Sequence, residues 1–84
     1  MENINLAPAP AVVLLSREAL RYFGPLSPRE ISSKLALRGY VLLPGPIADA
    51  LETENRLPVH QRCVREASLI VRPTDRLQVL YRAC

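Results

Sequence analysis

His60 and Cys63 stand three residues apart, which would place an imidazole and a thiol on one face of a helix. Such a pair could bind a metal, or act as a base and a nucleophile. Two ligands do not complete a zinc site, the only other soft ligand is Cys84, and no third group is placed to orient the imidazole. The chain also has no glycine-rich phosphate loop and no carboxylate pair at a plausible separation. We therefore expect a packed histidine and a packed thiol, no metal or cofactor, and no enzyme.

Arginine accounts for ten of the eleven basic residues, and its distribution along the chain is uneven. Residues 1–55 hold five basic and six acidic residues, a net charge of −1, whereas residues 56–84 hold six basic and two acidic residues, a net charge of +4. A guanidinium can bind phosphate or a guanine edge through two hydrogen bonds. The C-terminal third therefore suits a polyanionic partner, although a solvated arginine-rich surface has the same composition.

The N-terminal region is predicted to be an arm followed by a helix. Residues 1–11 hold two prolines and no helical period, which indicates a flexible arm. Apolar residues at helical spacing predict a helix over residues 12–23, stopped by Gly24. The apolar face of this helix is expected to consist of Val12, Leu15, Ala19, Tyr22 and Phe23. That face could complete the core or form a homodimer contact through residues 12–23, and the sequence leaves both open.

The middle of the chain carries the clearest helix start. Ser27 to Glu30, "SPRE", is a capping box with proline at the first helical position, and it predicts a helix over residues 27–38. The β-favouring run "YVLL" predicts a short strand over residues 40–43. Apolar residues spaced by one helical turn then predict a helix over residues 46–54.

The basic third of the chain is predicted to be a helix and a hairpin. Pro58 at a first helical turn and an apolar arc behind it predict a helix over residues 58–67. The outward arc of this helix would carry Gln61, Arg62 and Arg65. Two strand-like runs, residues 68–72 and 76–82, flank the turn formers of "RPTDR" and predict a β-hairpin with a basic tip.

This order of helix, short strand, two helices and basic hairpin resembles the winged helix-turn-helix proteins over residues 27–82. The resemblance implies an α+β fold of about four helices with a small antiparallel sheet, in a single domain covering residues 12–84. It also implies double-stranded DNA as the partner, with the third motif helix in the major groove and the hairpin wing on the backbone. A small transcriptional regulator, repressor-like and of the kind common in phages and mobile elements, is the function expected by analogy.

The residues that the resemblance assigns to DNA contact fall in three groups. The predicted recognition helix offers Gln61, Arg62 and Arg65; the wing offers Arg72, Thr74 and Arg76; and Arg56 could add a phosphate contact before the helix. A different register would make residues 27–37 the first motif helix and residues 46–55 the recognition helix. That register sets acidic residues against phosphate, where desolvation and repulsion both oppose binding, and we reject it for this reason. If it were nevertheless the right register, DNA binding would become doubtful.

An alternative function from another class is a winged-helix-like adaptor, or an inhibitor of a host enzyme, whose arginines meet an acidic protein surface. Other classes are disfavoured by composition. The longest apolar stretch, residues 7–15, is too short to span a bilayer, and Glu2 stands where a signal peptide has basic residues. Two cysteines are too few for a disulfide framework, and four aromatic residues suggest no deep ligand pocket. The expected location is therefore the cytoplasm, with no membrane partner and no small-molecule ligand.

Overall fold

A computed structural model describes residues 9–67 and 74–84 of the chain. Within these residues the fold is α+β, with three α-helices and a two-stranded antiparallel sheet. The helices are α1 (Ala9–Phe23), α2 (Pro28–Ala36) and α3 (Pro44–Asn55), and the strands are β1 (Val64–Glu66) and β2 (Tyr81–Ala83). Single 3₁₀ turns cover Val59–Gln61 and Arg76–Gln78. No helix in the described ranges is long and apolar enough to cross a membrane.

The first two helices begin and end at local signals. The helix α1 ends where Gly24 takes a positive φ of 88° and donates its N–H to the Leu20 carbonyl. The predicted capping box of α2 is confirmed: the Ser27 hydroxyl accepts from the Glu30 N–H at 3.2 Å, and the Glu30 carboxylate accepts from the Ser27 N–H at 2.9 Å. The prediction of an arm over residues 1–11 is wrong at its end, because helix α1 already begins at Ala9. Residues 1–8 lie outside the described ranges.

The predicted strand over residues 40–43 is wrong, because its backbone bonds to α2 rather than to a sheet. Tyr40 donates its N–H to the Leu35 carbonyl, and the Leu42 carbonyl accepts from the Ser32 hydroxyl at 2.6 Å. The place beside β2 is taken instead by Leu26, which exchanges two backbone hydrogen bonds with Tyr81 at 3.1 and 2.8 Å. The segment between α1 and α2 therefore extends the small sheet by one bridge.

The predicted helix over residues 58–67 is also wrong, which leaves three α-helices where four were expected. After one 3₁₀ turn the chain becomes β1, and two N–H groups of residues 58–67 bond to side chains of α3. The Cys63 N–H donates to the Glu54 carboxylate at 2.8 Å, and the Glu66 N–H donates to the Asn55 side-chain oxygen at 2.9 Å. Two side chains at the end of α3 thus occupy donors that a helix would need for its own carbonyls.

The C-terminal hairpin differs from its predicted bounds. The strand predicted over residues 76–82 begins as a 3₁₀ turn, and only Tyr81–Ala83 pairs as β2. The partner predicted over residues 68–72 lies outside the described ranges. Instead β1 pairs with β2, setting Val64 opposite Ala83, Arg65 opposite Arg82 and Glu66 opposite Tyr81.

A hydrophobic cluster joins the three α-helices and the two strands. Its fully buried centre is formed by Ile31 of α2, Ile47 and Leu51 of α3, and Val64 of β1. Tyr81 of β2 and the inner face of α1 close the cluster from the sides. That inner face is formed by Val12, Val13, Ser16, Ala19 and Leu20. One face of helix α1 therefore belongs to the core.

Candidate functional site: two surface patches

The three residues predicted to form the outward face of a recognition helix share no helical face. Gln61 is exposed in the 3₁₀ turn before β1. Arg62 is half-buried and donates from Nε to the Leu57 carbonyl at 2.6 Å, which uses part of its guanidinium inside the chain. Arg65 is exposed on β1. The three residues therefore differ in backbone conformation and in how far their side chains are exposed.

Arg76 is held against α3. Its Nε donates to Glu52 at 2.9 Å, and a terminal nitrogen donates to Asp49 at 2.5 Å. These hydrogen bonds, first to Glu52 and then to Asp49, raise the pKa of Arg76 above its ordinary value. The guanidinium is therefore positive at any ordinary pH, and its charge is balanced by two carboxylates of the same molecule.

Three of the predicted DNA-contact residues, Arg56, Thr74 and Arg76, do line one open groove of about 430 Å³ between α3 and the hairpin. Glu52 and Glu66 line the same groove. Two arginines therefore meet two carboxylates there, and neither sign dominates. Arg72, the remaining predicted contact, lies outside the described ranges.

A basic pair lies on the hairpin itself. Arg65 and Arg82 are directly opposite each other in the ladder and both are exposed. Like charges in this position oppose pairing of the strands. In the described part of the chain neither arginine forms an ion pair. We call these two residues the arginine pair.

His60 and Cys63 do not form a joint site. His60 is exposed, so the prediction of a packed histidine is wrong, and its ring lies 3.4 Å from the Gln61 side-chain nitrogen. Cys63 is half-buried and packs against the core, as expected. Both cysteines are free thiols, and no group of three or more metal-ligating side chains occurs among residues 9–67 and 74–84.

The exposed aromatic residues form a surface that the sequence had left open between a part of the core and a homodimer contact. Of the four aromatic residues only Tyr81 is buried, at 2% exposure. Tyr22, Phe23 and Tyr40 are exposed by 72%, 42% and 41%. The Tyr22 and Phe23 rings meet edge to face with centroids 4.7 Å apart. Neither belongs to the inner face of α1, where the sequence pattern had placed them.

Two cationic side chains, one from the last turn of α2 and one from the turn after it, lie over these rings. The Lys34 ammonium lies 4.6 Å from the Phe23 ring centre, and the Arg38 guanidinium lies 5.6 Å from the Tyr22 ring centre. Together, Tyr22, Phe23, Lys34, Arg38 and Tyr40 form what we call the aromatic surface. The connection from α2 to α3 adds further exposed apolar side chains, namely Leu37, Val41 and Leu43.

A small pocket of about 150 Å³ opens within the aromatic surface. Ala19 and Leu35, which are buried, line it together with the exposed Phe23 and Tyr40, so it runs from the core to the surface. Leu15 completes the apolar lining, and the charged residues that border it are Glu18, Lys34 and Arg38. We call this the aromatic pocket. Its shape and lining suit a large apolar side chain.

No family model matches the chain, and comparisons with the curated proteins and with the solved structures gave no match.

Proposed function

We propose that this protein is a winged-helix-like module that binds another protein. The order of elements supports the winged-helix part of the proposal. In that architecture a short strand between the first two helices pairs with the last strand, and the bridge from Leu26 to Tyr81 occupies that place. The helices α2 and α3 then correspond to the two motif helices, and the β1–β2 hairpin corresponds to the wing.

In this correspondence the recognition position belongs to α3, the register that was rejected from sequence. The twelve residues of α3 include Asp49, Glu52 and Glu54 and no basic residue. An acidic helix repels phosphate and loses hydration on approaching it, so docking α3 in a DNA groove is electrostatically unfavourable. Arg76 offsets part of that negative charge, because its side chain pairs with Asp49 and Glu52 of α3. These charges favour a protein partner over DNA at the motif helices.

The aromatic surface is the observation that carries the proposal. Three of the four aromatic residues are exposed and lie close together. Their side chains therefore do not contribute the apolar burial that would stabilise a small core. Tyrosine, phenylalanine and arginine are enriched at protein interfaces, where clustered anchors dominate the binding energy. A contiguous exposed apolar patch rimmed by polar groups is typical of a protein-binding site.

The test is selection of a random peptide library displayed on phage against the immobilised protein. Peptides that bind the unchanged chain are then measured against Tyr22→Ala with Phe23→Ala, and against Val59→Ala as a matched control. Val59 is also an exposed apolar residue, but it lies beyond α3. We expect the double variant to weaken binding about tenfold or more and the control to leave it unchanged, with circular dichroism verifying the fold of each. Peptides that bind both variants equally, or no enriched peptides at all, would refute the proposal.

Duplex DNA is a second candidate partner, which the exposed arginine pair favours. Two exposed guanidinium groups opposite each other on a hairpin can each contact a phosphate, as the wing of a small transcriptional regulator does. Titration of random duplex at two salt concentrations tests this. Replacing Arg65 and Arg82 with alanine should reduce the salt dependence by about two phosphate contacts, whereas Arg21→Ala with Arg29→Ala, which removes the same charge elsewhere, should not. Absence of duplex binding at low salt would dismiss this candidate.

A further inference from the structure

We propose that the aromatic pocket receives one large apolar side chain from an acidic partner segment, whose carboxylates pair with Lys34 and Arg38. This inference rests on the proposed protein-binding function and specifies the chemistry of the partner. It commits to a segment with a leucine or phenylalanine anchor and two carboxylates.

The pocket has the volume of one anchor. A cavity of about 150 Å³ lined by leucine and phenylalanine is large enough to hold a benzene ring. Ala19 leaves room at the inner end because its side chain is a single methyl group, and Leu35 and Leu15 supply apolar contacts. Phe23 and Tyr40 line the pocket at the surface and can contact the outer part of the anchor. A single leucine or phenylalanine therefore fills the site, whereas a larger ligand would extend beyond it.

The charge around the pocket calls for carboxylates on the partner. Lys34 and Arg38 both border it, and within the described ranges neither forms an ion pair with a carboxylate of this chain. Both cations are instead held over aromatic rings, which restricts their motion and leaves their charge unbalanced. Glu18 is the one acidic residue among the described residues that line the pocket. The net charge at the rim is therefore positive.

The two cations lie close together along the chain and border the same pocket. Lys34 is in the last turn of α2 and Arg38 lies in the turn after it, four residues later. The carboxylates that pair with them must therefore stand near the apolar anchor on one partner segment. A segment with an acidic pair beside its apolar anchor thus matches both features of the site.

A second copy of this chain does not match them. In a symmetric contact the same patch meets itself, so Lys34 and Arg38 of one copy would approach those of the other. The arrangement brings like charges together, which opposes association. The complementary occupant is a segment of different sequence with the opposite charge.

The experiment repeats the peptide selection with a charge-reversed protein, Lys34→Glu with Arg38→Glu. The unchanged protein should enrich peptides that combine a leucine or phenylalanine with nearby aspartate or glutamate. The reversed protein should enrich lysine or arginine beside the same anchor. Changing either peptide carboxylate to its amide should weaken binding by the unchanged protein up to about fivefold, and Glu18→Gln should strengthen it.

The matched control is Arg65→Glu with Arg82→Glu, which alters net charge equally at residues that do not line the pocket. It should enrich the same acidic peptides as the unchanged protein. Peptides that depend on Tyr22 and Phe23 but show no acidic preference, and no change on reversal, would overturn this inference and leave the proposed function standing. Failure to enrich any peptide dependent on the two aromatic residues would overturn both. Self-association through this patch in sedimentation, abolished by Tyr22→Ala, would also overturn the inference.

Discussion

Glu54, near the C-terminal end of α3, accepts a hydrogen bond from the residue before β1. The stability that is lost when its side chain is removed can be calculated. The Cys63 N–H donates to its carboxylate at 2.8 Å, in a half-buried setting. A hydrogen bond to a charged group contributes about 1.5–3 kcal/mol, and partial exposure favours the lower end, about 1.5 kcal/mol. For 84 residues the entropy of unfolding is about 180 cal/mol/K, so Glu54→Ala should lower Tm by about 8 °C.

The size of the loss should depend on the acceptor that remains. Glu54→Gln keeps a side-chain oxygen without its charge, and neutral hydrogen bonds are about half as strong, so Tm should fall by about 4 °C. Thr53→Ala is the matched control: Thr53 is exposed on the same helix and its hydroxyl donates to the Asp49 carbonyl one turn back. Its change should stay within about 0.5 kcal/mol. Thermal unfolding followed by circular dichroism measures all three variants.

Amide hydrogen exchange locates the effect. In Glu54→Ala the Cys63 amide should lose protection, while amides in the middle of α1 keep theirs relative to global unfolding. If residues 59–67 formed a helix, the Cys63 amide would bond within that helix and Glu54→Ala would leave both its exchange and Tm unchanged. That result, together with helical carbon chemical shifts over residues 59–67, would refute the assignment of β1.

Other consequences of the structure are open to equally direct measurement. Ser27→Ala removes the hydroxyl of the capping box and should cost about 1 kcal/mol in thermal unfolding, whereas Ser27→Asp, which keeps an acceptor, should cost less. Ile47→Ala should cost about 2–5 kcal/mol because Ile47 is fully buried, and Leu37→Ala, at 80% exposure, should fall within about 0.5 kcal/mol in denaturant titration. Glutathione disulfide should link Cys63 to Cys84, since a backbone hydrogen bond of 3.0 Å sets them opposite each other on the hairpin; mass spectrometry would contradict this by finding only mixed disulfides.

The features that were predicted correctly from the sequence are those that depend on neighbours along the chain. The capping box at Ser27 involves residues three apart, and the positive φ at Gly24 ends α1 whatever lies around it. The helix predicted over residues 46–54 is confirmed within α3, because its apolar spacing coincides with the face that it buries. Local chemistry decided each of these elements.

The helix predicted over residues 58–67 failed because its competitors are distant in sequence. A strand of three residues is too short to show a period of two, so β1 was indistinguishable from a helical arc. Glu54 and Asn55 of α3 then supply the acceptors, nine and eleven positions back along the chain. The prediction for Gln61, Arg62 and Arg65 inherited this error, because their common face existed only on the predicted helix.

The sequence left the role of Tyr22 and Phe23 undecided for a related reason. Apolar residues cover more of α1 than one inward stripe requires, and the periodic pattern alone does not say which part of that arc meets the core. Packing against α2, α3 and β2 buries Val13 and Leu20 and leaves Tyr22 and Phe23 outside. The surplus of apolar positions on one helix was the available signal, and it pointed to a second contact surface.

The basic residues of the C-terminal third are neighbours in the sequence but do not share one surface in the fold, and this difference bears on function. The net charge of +4 in the C-terminal third does not form one field, because Arg76 is balanced on α3 and Arg62 donates inward to a backbone carbonyl. The exposed remainder includes the arginine pair on the hairpin, whereas the exposed aromatic rings lie on α1 and on the connection before α3. Because these patches share no residue, each can be removed without altering the other. A partner lost with the aromatic surface and kept without the arginine pair must be recognised through apolar anchors, and the reverse outcome would assign recognition to phosphate contacts.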